Sequence, residues 1–288
     1  MSEKCPLGSG DNKAGFKSSL LRYLQYYEVS AVQQFITAIE RCDMSSINTA
    51  FISSVPGSHK DGSMCLWGHR AVAKLLRTHV PRGFAGWEVV AQCSSIGSLG
   101  PGPQSWLESQ LGASLGSCRS NLGVSSGDTA RVSLLYPTHQ DVLSSYDGPL
   151  GGGCLPYSRA TASKQPWLHD HLCCWRAAAS ERSRAPPHIK TYTRISPDNS
   201  QLAFFMLTSA NLSRAAWGTV TAAGNSCTIM SYEAGVVWLP TIVTGDNTFT
   251  SVPFRERPPA SKLFPLHYDL PLTRYTDSDR PWLIDYLT

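Results

Sequence analysis

His188 and Lys190 stand one residue apart in Pro187-His188-Ile189-Lys190-Thr191-Tyr192, and Asn211 follows in Thr208-Ser209-Ala210-Asn211-Leu212-Ser213. An imidazole can give or take a proton near neutral pH. An ammonium and a carboxamide can hold the oxygens of a phosphoryl group and offset the charge that develops on them. The three together suit the breaking of a phosphodiester: the cation and amide grip the phosphate, and the imidazole protonates the oxygen that leaves.

Extended segments must position these groups. Residues two apart on a strand share a face, so His188 and Lys190 point one way while Ile189 and Thr191 enter the opposite layer. Leu202 to Thr208 is a nearly continuous apolar run, as expected of a strand covered on both faces, and it delivers Asn211 beyond its end. Asn211-Leu212-Ser213 before Arg214-Ala215-Ala216-Trp217 predicts a helix that Asn211 opens and Gly218 stops. A helix start of that kind favours phosphate oxygens.

These segments resemble the tyrosyl-DNA phosphodiesterases of the phospholipase D superfamily. The likeness rests on His188-Ile189-Lys190, on the run from Thr208 to Ser213, and on Ser231-Tyr232-Glu233-Ala234-Gly235. It extends to Ser94-Ser95-Ile96-Gly97-Ser98-Leu99-Gly100, Leu155-Pro156-Tyr157-Ser158, Lys164-Gln165-Pro166-Trp167-Leu168-His169, Tyr268-Asp269-Leu270-Pro271 and Asp279-Arg280-Pro281-Trp282. The wider superfamily spells H-x-K-x-x-x-x-D, and Ile195 stands where that Asp would be. The tyrosyl-DNA branch instead pairs H-x-K with a distant Asn, a spacing that residues 191–210 supply.

The resemblance implies an α/β fold, a phospholipase D-like layered α/β/α sandwich around a mixed sheet. Residues 1–48 would be the helical end of a first half, and 49–288 a second phospholipase D-like domain. It also implies hydrolysis of the 3′-phosphotyrosyl bond of DNA–topoisomerase I adducts, in the nucleus. The implied partners are DNA 3′ ends, single- or double-stranded, with tyrosyl or peptide adducts. By position His188 is the general acid and then the base, Lys190 and Asn211 hold the phosphate, and Glu233 orients the histidine of the other half. Ser94, Ser95, Ser98, Lys164 and Ser213 fall where the family contacts DNA backbone phosphates, which requires no base readout. The family's chemistry uses no metal and no cofactor.

The family carries two H-x-K motifs, and the histidine of the first attacks phosphorus. Of the eight histidines here only His188 is followed by x-Lys. The expectation is a chain that is weak or inactive alone and that works with the missing N-terminal half or a second copy. A non-catalytic DNA-binding form and a single-motif homodimer are the alternatives. Loss of a partner half should leave an apolar face exposed.

Each group also has an ordinary role to fill. A histidine or lysine on a strand can simply be solvated or paired, Asn211 can serve only as a helix cap, the serines can be loop residues, and Glu233 can sit in a local salt bridge. His169, His171, Cys173 and Cys174 invite a metal reading, with His169 and Cys173 four apart on a possible helix. They lack the spacing of a four-ligand zinc site, so no metal is expected.

Bulk properties describe a globular chain. The 288 residues are 42% hydrophobic and only 16% charged, with a formal net charge of +4. Lys and Arg form no long run, so charge alone does not point to DNA. Nine cysteines without a C-x-x-C pair read as free intracellular thiols, and the polar N-terminus reads as neither signal peptide nor membrane span. Apolar spacing predicts helices within 18–41, at 68–79 and at 106–115, strands at 49–55, 87–93 and 131–136, and a Gly-rich loop at 148–153.

Overall fold

The computed structural model describes residues 10–119, 130–253 and 262–287. Residues 1–9 of the expected N-terminal segment lie outside the described residues.

The centre is a mixed sheet. In chain order its strands are β1 (Ala50–Ser54), β3 (Glu88–Gln92), β4 (Val132–Leu135), β5 (Leu172–Cys173), β6 (Thr191–Ile195), β7 (Gln201–Thr208) and β10 (Glu233–Trp238). They lie in the spatial order β1-β10-β7-β6-β3-β4-β5. Pairing is antiparallel from β1 through β3, then parallel through β4 and β5. Strands β11 (Phe249–Pro253) and β12 (Leu263–Leu266) extend it beside β7. A small second sheet joins β2 (Gly57–Lys60), β9 (Ser226–Ile229) and β8 (Thr219–Val220).

Both faces of the main sheet are apolar, which explains the unbroken run of β7. Phe204 and Met206 join one core with Val72, Leu76, Leu107 and Trp217, while Leu202 and Phe205 join another with Trp175, Phe249 and Tyr268. The register slips by one residue between Arg194 and Ile195, so that Ala203 and Phe204 both enter the first core. Helix α3 (Gly68–His79) covers that first face with Val72, Ala73 and Leu76, as its spacing predicts. The second face is covered by irregular segments around Trp175–Ala177 and Leu266–Leu272. The helical third layer of the expected sandwich is therefore reduced there to short turns among the described residues.

The 18–41 stretch holds the expected helices, α1 (Phe16–Gln25) and α2 (Ser30–Glu40), separated by a turn in which Glu28 has φ 49°. The 106–115 stretch is helical as expected, but it begins as a π-helical segment, Leu107–Gly112, with Leu111 N bonding back to Trp106 O, before the α-turn Ala113–Leu115. One local expectation is corrected: the Gly-rich 148–153 stretch is a short 3-10 segment, Gly148–Cys154, rather than a loop. Helix α1 packs on β1 through Phe16 and Tyr23 against Phe51, and the Asn12 side chain bonds the carbonyls of Ile47 and Thr49.

Candidate functional site

Antiparallel pairing brings four neighbouring strand ends to one edge. Thr191 at the start of β6 pairs with Leu207 near the end of β7 and with Gln92 at the end of β3. Gly235 in β10 pairs with Thr208. The segment leading into β6 carries His188 and Lys190, the segment leaving β7 carries Asn211, that leaving β3 carries Ser94 and Ser95, and β10 begins with Glu233. Side chains from distant positions thus meet because the sheet aligns the ends of their strands.

His188 and Lys190 precede β6 in extended chain rather than lying within it, since regular pairing starts at Thr191. His188 and Ile189 are exposed, whereas Lys190 is only 7% exposed. Ile189 therefore does not enter the opposite layer. Thr191 does, placing its hydroxyl 3.3 Å from His267 Nε2. Lys190 Nζ lies 3.3 Å from His188 Nε2 and donates to the His188 carbonyl at 2.5 Å. Burial pushes the pKa of Lys190 down, and the nearby Cys154, Cys93 and Glu233 act against that shift. Cys93 lies beneath as a neutral thiol, its pKa pushed up by burial to about 12.

Asn211 does not open a helix. Ser213 is the cap: its hydroxyl accepts from Ala216 N at 3.1 Å, and the helix Arg214–Trp217 is a single turn ended at Gly218, φ 93°. Asn211 instead clamps the serine loop. Its Oδ1 accepts from Ser94 N at 3.0 Å, Ser94 Oγ at 3.2 Å and Ser95 N at 3.0 Å. With the carbonyl so used, the donor end of the carboxamide is left without a partner among the described residues. Tyr192 fixes the approach to Asn211 by donating to Ala210 O at 3.0 Å while accepting from Trp217 Nε1 at 3.1 Å.

Three clamps escape a reading of spacing. Gln165 is buried, its Oε1 accepting from Leu99 N at 2.9 Å and its Nε2 donating to Gly97 O at 3.1 Å. Arg214 donates to Leu99 O at 2.8 Å. Gly97 brings the loop against the Asn211 segment, where a Cβ would stand 2.7 Å from Ser213 Cβ. Gln165 stands next to Lys164 in a segment the family resemblance already marks, the one signal that could have found it.

The remaining candidates are less tightly gathered. Ser94 is buried, Ser95 half-buried and Ser98 exposed, and the exposed Lys164 side chain has no bond among the described residues. Glu233 makes no salt bridge among the described residues; its Oε2 accepts from the hydroxyl of Ser209, which also accepts from Ala234 N at 3.0 Å. At the same edge Ile189 is 39% and Tyr232 42% exposed, with Met230 at 75% just before β10.

The His169 to Cys174 cluster splits. His169 and His171 lie in a 3-10 turn bonded to Asp279 O and Val132 O, and Cys173 is in β5, so no helix brings His169 and Cys173 together. No group of three or more potential metal ligands occurs among the described residues. No helix among them is long and apolar enough to cross a membrane.

The tyrosyl-DNA phosphodiesterase family model matches residues 1–276. Tyrosyl-DNA phosphodiesterase 1 of Drosophila melanogaster is 44% identical over 285 residues, covering 97% of this chain and 48% of that protein. A probable tyrosyl-DNA phosphodiesterase of Caenorhabditis elegans is 32% identical over 95% of this chain and 57% of its own length. The chain thus spans about half the length of the curated relatives it matches. A crystal structure of the yeast tyrosyl-DNA phosphodiesterase superimposes with a TM-score of 0.67 at 21% identity, covering 96% of this chain and 66% of that one, a likeness of fold.

Proposed function

The chain belongs to the tyrosyl-DNA phosphodiesterase family, and from that premise we propose that it is the acid–base half of a hydrolase acting on 3′-phosphotyrosyl bonds of DNA–topoisomerase I adducts. The observation that carries the reading is the pairing of His188 Nε2 with Lys190 Nζ at 3.3 Å beside an Asn211 whose amide donor has no partner among the described residues. In this reading Lys190 and Asn211 hold non-bridging phosphate oxygens. A histidine of the first half attacks phosphorus and forms a phosphohistidine. His188 gives its proton to the departing tyrosine oxygen, then takes one from the water that releases the phosphate.

Such acid–base assistance is worth roughly a hundred- to ten-thousand-fold in rate. Glu233 orients the attacking histidine of the other half. Ser94, Ser95, Ser98, Lys164 and Ser213 line the path of the DNA strand, with the loop's shape maintained by Asn211, Gln165 and Arg214. The nucleus is the compartment where such adducts arise.

Residues 10–48 are read as the end of the first half, docked on the second through α1. The exposed Ile189, Met230 and Tyr232 beside His188 and Glu233 support a partner surface at this edge, and the missing first half supplies the nucleophile there. The presence of a single H-x-K favours one second reading, a form that binds DNA without turnover.

Incubation of the chain with a 3′-phosphotyrosyl oligonucleotide, alone and with a first-half fragment, tests both. Turnover that appears with the fragment and disappears in His188→Ala is expected. Binding without turnover in either arm supports the second reading, and turnover by the chain alone that rises with protein concentration supports a homodimer.

A further inference from the structure

A second concave site opens along α3. It is a groove of about 340 Å³ whose polar lining includes His69, Arg70, Arg77, Ser109, Gln110 and Thr221. Arg70 and Arg77 are two turns apart on α3 and so lie on one side of it. Neither forms an ion pair among the described residues, and no carboxylate lines the groove. Two guanidinium groups without a carboxylate partner among the described residues make a positive concavity.

The buried groups indicate what should fill it. His69 is 1% exposed and holds Ser114 Oγ with its Nδ1 at 2.7 Å. Its Nε2 is buried with no partner, and so is Arg70 Nε. Buried donors seldom go unpaired in folded proteins. Burial lowers the pKa of His69 to about 3, with the Arg70 charge adding to the shift, so the ring is neutral. When the Ser114 hydroxyl donates to Nδ1, the hydrogen resides on Nε2 as a donor.

Gln110 secures the opposite wall. Its Oε1 accepts from Val220 N at 2.8 Å and its Nε2 donates to Val220 O at 3.2 Å, which leaves the hydroxyls of Ser109 and Thr221 to complete the lining.

We propose that this groove binds a phosphate monoester dianion, with Arg70, Arg77 and His69 Nε2 donating to its oxygens and the remaining volume admitting a group of mononucleotide size. Arginine forks match phosphate geometry, and the volume falls at the lower end of the range for small-ligand sites, about 300–1,000 Å³. The inference does not rest on the role given to His188. It does place an anion site beside the connection that runs from Asn211 through Gly218 to Val220.

The test is a titration of the full ¹⁵N-labelled chain with inorganic phosphate and, separately, with adenosine 5′-monophosphate, read at the Arg70 Nε–Hε and His69 Nε2–H resonances. A saturable shift is expected, weakened about tenfold or more in Arg77→Ala, an exposed position, and retained in Lys190→Ala. Tighter binding of the nucleotide identifies it as the source, whereas equal binding identifies phosphate itself. Overturning results are no saturable shift, a shift indifferent to Arg77→Ala, one lost in Lys190→Ala, or one produced equally by an oligonucleotide lacking a terminal phosphate.

Discussion

Two cations lie on the same side of the chain through β6, four residues apart, and the fold treats them differently. Arg194 is 1% exposed, and backbone takes both of its terminal nitrogens: Nη1 donates to Gly116 O and Nη2 to Phe84 O, both at 2.7 Å, with the guanidinium 5.9 Å from the centre of the Phe84 ring. Lys190 is 7% exposed, yet among the described residues its ammonium bonds only the carbonyl and imidazole of His188. Arg194 ties the sheet to the segments that cover it. Lys190 is held at the sheet's edge with donor capacity to spare. Burial alone therefore does not separate the two cations; what differs is that carbonyls of the covering segments take the Arg194 head group while the Lys190 ammonium lies beside an exposed imidazole.

The contrast is open to attack by mutation. Arg194→Met should destabilise the chain by about 3 kcal/mol, because two buried carbonyls lose their donors, and chemical denaturation would measure it. A loss well under about 1 kcal/mol would mean that Arg194 is not the structural member of the pair.

Asn211→Ala should cost about 1–3 kcal/mol, since Ser94 N and Ser95 N lose their acceptor. Asn211→Asp should keep most of that stability but weaken oligonucleotide binding, because the carboxylate repels phosphate. Equal stability losses in the two variants would leave Asn211 a purely structural clamp.

Acid tests two buried imidazoles. Burial lowers His69 from 6.5 to about 3 and His267 from 6.5 to about 4. Both are neutral when folded and take up a proton when unfolded below their ordinary pKa. Their stabilisation is complete above about pH 6.5 and declines as pH falls towards the folded values, for His69 by about 1.4 kcal/mol per pH unit. Denaturation midpoints between pH 7 and pH 5 should fall in the wild type and fall less in His69→Gln.

The smallest expected effect is that of Ser213→Ala, about 1 kcal/mol for the lost cap. An added loss of oligonucleotide affinity would show that the same hydroxyl also reaches the DNA.

Much of this was legible in the sequence because it depends on local pattern. The 3.6-residue spacing of Val72 and Leu76 places α3, and the apolar run ending at Thr208 places β7 with both faces covered. The H-x-K and the distant Asn fall together at the candidate site because the ends of neighbouring strands converge there. What the sequence did not disclose depends on contacts between distant segments. Asn211 looks like a cap from its neighbours, but its oxygen is taken by Ser94 and Ser95, while Ser213 is nearer the turn and caps it. The partners of Gln165 and Arg214 lie in a loop far along the chain. No periodicity within either segment encodes such a pairing.

The most direct measurement is the affinity of a 3′-phosphorylated oligonucleotide for the wild type and for Lys190→Ala, with thermal unfolding followed in parallel. Lys190→Ala is expected to weaken binding about tenfold or more while moving the unfolding midpoint by less than about 2 °C. Unchanged affinity, or a midpoint that falls as far as that of Arg194→Met, would contradict the assignment of Lys190 to phosphate.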